Sequence, residues 1–181
     1  LVGQQRIMNG MKIINGSGYI VYQGSGSKVY IQKIDLNATS AQIAFTKNLD
    51  IISNSGDNAY YLGLWNNHLV YFIGKHVVKI DFAGNFTKQL GMQNSPSSLH
   101  SLIDNNMLHV VSSFQKTNGR YRYEGLKFDL VADSILILQF MDTAIAAMNY
   151  TTGGIAAIND SLAVGAGRGL SNNLELYLAE F

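Results

Sequence analysis

The chain has no cysteine, a single proline, three glutamates and no run of 18 apolar residues. Each shortage excludes something. Without thiols there are no disulfides and no thiolate metal sites, and the redox compartment stays open. Without a long apolar run no helix spans a membrane. Charged residues make up only 14% of the chain, and Glu124, Glu175 and Glu180 are too few for the outer faces of ordinary soluble helices. Lys and Arg number 13 against 12 Asp and Glu, so the net charge of +1 provides no broad field for gripping phosphates. Nucleic acid is therefore a poor partner.

What is present is turn chemistry alternating with strand formers. Asn (17 residues) and Gly (18) punctuate short runs of Val, Ile, Leu and ten Tyr. A disordered chain would carry fewer aromatics and more charge. At 181 residues the chain suits one all-β domain with a real core. It begins at Leu1 rather than Met, which reads as a processed protein or part of a longer one.

One phrase recurs. Tyr30-Ile31-Gln32-Lys33-Ile34-Asp35-Leu36 is echoed by Val77-Val78-Lys79-Ile80-Asp81-Phe82 and Gly125-Leu126-Lys127-Phe128-Asp129-Leu130, and in worn form by Leu176-Tyr177-Leu178-Ala179-Glu180-Phe181. The acids at 35, 81, 129 and 180 are 46, 48 and 51 residues apart. Upstream of each lies a second marker: Asn15-Gly16, Asn66-Asn67, Asn105-Asn106 and Asn159-Asp160. Apolar runs flank each marker, as they flank a tight hairpin turn. The second unit reads as four strands, 59–65, 68–73, 76–82 and 86–90. Four antiparallel strands in about 45 residues are the size of a propeller blade. The expected architecture is a four-bladed β-propeller with approximate blades 9–48, 49–91, 92–142 and 143–181. Residues 1–8 would supply the last blade's missing strand and close the ring. The alternatives are a segment of a larger propeller, or a sandwich or open meander.

Val78-Lys79-Ile80-Asp81-Phe82-Ala83-Gly84-Asn85, followed by Thr87-Lys88-Gln89-Leu90-Gly91, resembles the repeat of bacterial secreted β-propeller proteins. There a strand ends in Lys-hydrophobic-Asp, a Gly-Asn turn follows, and an outer strand ends in Leu-Gly. Gly18-Tyr19-Ile20-Val21 is similar to their second strand. The resemblance implies a propeller fold and a secreted or surface setting, and no particular activity.

Motifs for chemistry are sparse, and no catalytic residue, metal ligand or cofactor is expected. Asp35, Asp81 and Asp129 occupy equivalent positions around the expected ring, which suits fixing the turn after the third strand rather than pairing as acid and base. His68, His76, His100 and His109 lack ligand spacing. Gly165-Ala166-Gly167-Arg168-Gly169 has neither the Lys-Ser/Thr ending nor the following helix of a phosphate loop, and matches Gly24-Ser25-Gly26-Ser27 as a turn. Asn54-Ser55-Gly56-Asp57-Asn58 offers oxygen ligands but one carboxylate, short of a calcium loop. No Gly-x-Ser-x-Gly elbow is present.

Five sequons stand out, at Asn15, Asn37, Asn85, Asn149 and Asn159, where chance gives about two. Four of them (Asn149 is the exception) fall in turns on one face of the expected propeller, as glycosylation candidates, although turns favour Asn, Ser and Thr in any case. The opposite face collects the longest connections, 50–58, 91–98, 115–122 and 168–173. These hold or flank Asp57, Asn58, Tyr60, Arg120, Tyr121, Arg122 and Arg168, the candidate binding residues.

The function expected is a non-enzymatic, extracellular or cell-surface module that binds a protein or glycan, with a homo-oligomer or larger assembly within reach. A structural filament subunit is a close variant. A glycan-active hydrolase or lyase is the alternative, and it needs converging carboxylates from Asp50, Asp57, Asp104, Asp133 and Asp142. A lectin would repeat an aromatic in every unit, and Trp65 is not repeated.

Overall fold

The computed structural model describes residues 6–8, 11–36, 40–54, 56–96, 98–115, 121–141, 155–159, 162–168 and 174–180. All regular structure there is β, apart from one short 3-10 turn at Ser25–Ser27. The strands are β1 (Arg6–Ile7), β2 (Lys12–Ile14), β3 (Ser17–Gln23), β4 (Lys28–Leu36), β5 (Ala41–Ile52), β6 (Ala59–Trp65), β7 (His68–Ile73), β8 (His76–Asp81), β9 (Phe86–Leu90), β10 (Ser98–Asp104), β11 (Met107–Gln115), β12 (Tyr121–Asp129), β13 (Ser134–Met141), β14 (Ile155–Asn159), β15 (Leu162–Arg168) and β16 (Leu174–Glu180).

They form four antiparallel sheets. The first runs β1-β3-β4-β5 with β2 also on β3; the others run β6-β7-β8-β9, β10-β11-β12-β13 and β14-β15-β16. Three of the markers read from the sequence are hairpin turns, between β2 and β3, β6 and β7, and β10 and β11, and the fourth falls partly outside the described residues. Asn15 and Gly16 hold φ of 49° and 73°, Asn66 and Asn67 43° and 62°, and Asn105 52°. Both central residues of a tight hairpin turn need positive φ, which Asn and Gly tolerate best. The recurring acids close the next turn in two cases. Asp81 Oδ1 accepts the amides of Ala83 at 2.9 Å and Asn85 at 2.8 Å. Asp129 Oδ1 accepts those of Val131 at 2.8 Å and Ala132 at 3.0 Å. Asp35 accepts the Ser17 hydroxyl across the strands at 2.8 Å and pairs with Lys33 at 3.4 Å, and the turn that follows it lies outside the described residues.

The second sheet is buried on both faces, which explains its continuous apolar runs. Leu69, Tyr71, Ile73, Val78 and Ile80 pack with Tyr19, Val21, Val29, Ile31, Leu49 and Ile51 of the first sheet. Val70, Phe72 and Val77 face Leu108, Val110, Leu126 and Phe128 of the third. Each such side chain taken fully from water contributes about 1.5–3 kcal/mol.

The four-bladed propeller is not what the chain forms. The sheets are separate, and none is closed or curled into a propeller blade. The N-terminal strand does not complete the last sheet. Arg6 and Ile7 pair with Gln23 and Tyr22 inside the first sheet, and the Met8 amide donates to Val21 O at 3.0 Å. The physical reason is local: β2 pairs only as far as Tyr19, leaving the edge of β3 free at Tyr22 and Gln23, and β1 satisfies it. The glycine-rich segment is also corrected. Gly165 and Gly167 are strand residues of β15, opposite Tyr177 and Glu175, rather than a turn. Tyr121 and Arg122 likewise open β12 instead of lying in a loop.

Candidate functional site

Three edge strands meet at one cleft. β2, β6 and β10 each pair on one side only, with β3, β7 and β11 respectively. Between them lies a cleft of about 200 Å³ lined by Lys12, Ala59, Tyr60, Tyr61, Leu62, Leu99 and Ser101. An edge strand is free of a neighbour on that side, so the edge of β6 lies open to the cleft, while its side chains alternate, Tyr61 packing toward the first sheet and Tyr60 and Leu62 toward the third.

The aromatic wall is held from behind. Tyr61 meets the buried Tyr71 edge-on, with centroids 5.4 Å apart and planes at 62°. Lys12 Nζ stands 5.6 Å from the centroid of the Tyr61 ring, within range of cation–π attraction. Burial pushes the Tyr61 phenol above its ordinary value. Tyr60 is fixed through its hydroxyl, which donates to Pro96 O at 3.3 Å and receives the Asn58 side-chain amide at 3.5 Å. The cleft is thus bordered by the Lys12 ammonium group, the Tyr60 and Tyr61 side chains and Ser101 between apolar residues, and no carboxylate is among its described lining residues.

Of the candidate binding residues, Asp57, Asn58 and Tyr60 come together at the start of β6, and Tyr60 lines the cleft. Asp57 is turned inward: it is 6% exposed, and its Oδ2 accepts the Asn54 amide at 2.7 Å. Its carbonyl accepts Arg6 Nη2. The oxygen-rich loop is thus stapled by its own carboxylate. Among the described residues no three His, Cys, Asp or Glu are grouped to hold a metal ion. Arg120 lies outside the described residues. Tyr121 and Arg122 on β12 and Arg168 on β15 are placed by their backbone alone. Lys12, Tyr61 and Ser101 were missed in the sequence. Their only signal is a shared position, three to five residues before each Asn turn, on the first strand of each sheet.

Among the described residues, the spare acids form no group of three. Asp133 pairs with Lys79, Asp104 stands beside the Asn105 turn, and Asp142 lies outside the described residues. Among the sequons, Asn15 is exposed on its turn. Asn85 is also exposed, but its side-chain amide donates to Asp81 Oδ2 at 2.8 Å. Asn37 and Asn149 lie outside the described residues, and Asn159 ends β14.

No protein-family model matches the chain, and no curated protein matches it in sequence. The likeness to bacterial secreted β-propeller repeats is therefore not upheld, and it lends no support to a secreted or surface setting. No helix among the described residues is long and apolar enough to cross a membrane.

Proposed function

We propose that the chain is a binding module, without catalytic chemistry at this site, that takes a sugar unit of a glycan in the cleft between β2, β6 and β10. The observation that carries this reading is the convergence of Lys12, Tyr60, Tyr61 and Ser101 on one space. Phenol rings suit the apolar face of a pyranose, while hydroxyl and ammonium groups suit its rim. Lys12 adds a preference for a sugar bearing a carboxylate. The volume is below the roughly 300–1,000 Å³ of pockets that enclose a drug-sized ligand, so the cleft fits a single unit or chain end.

The test is a glycan microarray probed with the wild-type chain and with Lys12→Ala. Binding to uronic-acid glycans that falls at least tenfold in the variant supports the reading. Signal that Lys12→Ala leaves unchanged, or no signal for any glycan, rejects it.

A further inference from the structure

Strand β6 changes phase halfway along. At its C-terminal end Trp65 lies opposite His68, Leu64 opposite Leu69 and Gly63 opposite Val70. At its N-terminal end Tyr61 lies opposite Tyr71, Tyr60 opposite Phe72 and Ala59 opposite Ile73. No residue of β7 stands opposite Leu62, which is the extra residue of a β-bulge. The packing shows the result. Trp65, Leu62 and Tyr60 pack on the cluster shared with the third sheet, whereas Tyr61 and Ala59 pack on the cluster shared with the first. Strict alternation counted back from Trp65 would send Tyr61 to the third sheet, and Tyr60 and Leu62 to the first.

Two features of Gly63 suit it to the bulge. Its φ of 152° is one that a side chain adopts only under strain. A Cβ there would also stand 3.1 Å from Ile103 Cδ1, tighter than ordinary van der Waals contact. The glycine is thus where β10 comes against β6. Of the three edge strands at the cleft, β2 and β10 pair with β3 and β11 in unbroken register. The phase change belongs to β6 alone among them.

We propose that Gly63 is a positioning residue of the cleft. The bulge it permits turns Tyr61 toward β2, where Lys12 stands 5.6 Å from the ring centroid. It turns Tyr60 and Leu62 the other way, toward Leu99 and Ser101 of β10, and sets the Tyr60 hydroxyl on Pro96 O. In a regular strand the two walls would exchange, and Lys12 would meet Tyr60 and Leu62 instead. Beyond the bulge, Trp65 keeps the phase that lets its Nε1 donate to Asn106 Oδ1 at 3.2 Å. One strand therefore serves the Asn66 turn at one end and the cleft at the other. The role of this placement in binding rests on the sugar reading above; the placement of Tyr61 beside Lys12 does not.

Proton NMR tests the placement, and titration with a uronic-acid disaccharide tests its use. In the wild type the Tyr61 ring should shift the Lys12 ε-methylene protons upfield and show Overhauser contacts to Lys12 rather than Leu99. Gly63→Ala and deletion of Leu62 should each abolish that Lys12 shift and weaken disaccharide binding by about tenfold or more. In both, the Trp65 indole N–H should keep its shift, which a general loosening of the fold would not spare. Leu64→Ala, at an exposed position on the far side of the bulge, should leave the Lys12 shift and the affinity unchanged. A folded Gly63→Ala or Leu62-deleted chain that keeps the Lys12 shift overturns the proposal, and so does one that loses the shift yet binds like the wild type. Where neither variant folds, the wild-type contacts decide, and a Tyr61 ring that meets Leu99 instead of Lys12 overturns it. A wild type that binds no disaccharide, with the Lys12 shift lost in the variants, rejects the sugar reading and supports the positioning of Tyr61 by Gly63.

Discussion

Lys79 of the second sheet reaches across to Asp133 of the third, with Nζ 2.7 Å from the carboxylate. The same nitrogen donates to Leu130 O at 2.6 Å and stands 5.0 Å from the Trp65 ring centroid. The pair is unequally buried, at 8% side-chain exposure for Lys79 and 24% for Asp133. Losing one partner therefore has different consequences on the two sides. Asp133→Asn keeps the positive φ that Asn tolerates, but leaves a buried ammonium with one carbonyl and a ring; about 2–3 kcal/mol of stability should go. Lys79→Met leaves a carboxylate that water can reach, and should cost less. Urea denaturation of both variants checks the order.

Tyr71 is almost wholly buried, and its hydroxyl has no hydrogen-bond partner among the described residues. Burial, followed by the neighbouring Tyr61 and Tyr19, drives its phenol far above the ordinary value. Removing an unpaired buried hydroxyl restores no lost bond and removes a desolvated dipole. Tyr71→Phe should raise stability by up to about 1 kcal/mol, read from the thermal midpoint.

His76 has a lowered pKa, first through burial and then through Lys88, with Lys75 adding to it; the Ile73 backbone and Asp57 oppose the shift. Its Nδ1 is buried without a partner among the described residues. The folded state thus takes up the proton less readily than the unfolded chain. Stability from the neutral ring is full above the unfolded value of about 6.5 and is lost as pH falls through the lower folded value. His76→Gln should flatten the slope of stability against pH in that window. Chemical denaturation at several pH values between about 7.5 and 5 measures it.

Asp81 also titrates low. Its modest burial pushes upward, but hydrogen bonds from the Asn85 side chain and from the amides of Asn85, Ala83 and Gly84 outweigh it. The stability this carboxylate supplies is present above the usual Asp range and is lost as pH falls through its lowered folded value. Asp81→Asn should cost about 1 kcal/mol at neutral pH and reduce the acid sensitivity of unfolding.

The sequence showed most clearly those features that act over a few residues. The Asn turns and the apolar runs of β7 and β8 were legible because positive φ and burial on both faces are written locally. Ring closure was not legible. Whether residues 6–7 pair with β3 or with a distant strand depends on which edge is nearer in space, and a repeat count cannot decide that. In the cleft, Tyr60 came from loop composition, whereas Lys12 and Ser101 join it only because three edge strands converge. Nothing in the spacing of those strands announces that they do.

The most direct test of the account is an amide chemical-shift titration of the folded chain with a uronic-acid disaccharide. The account predicts that shifts concentrate at Lys12, Tyr60, Tyr61 and Leu99 to Ser101, and saturate with one affinity. Shifts that are absent, or that fall on residues away from β2, β6 and β10, would contradict it.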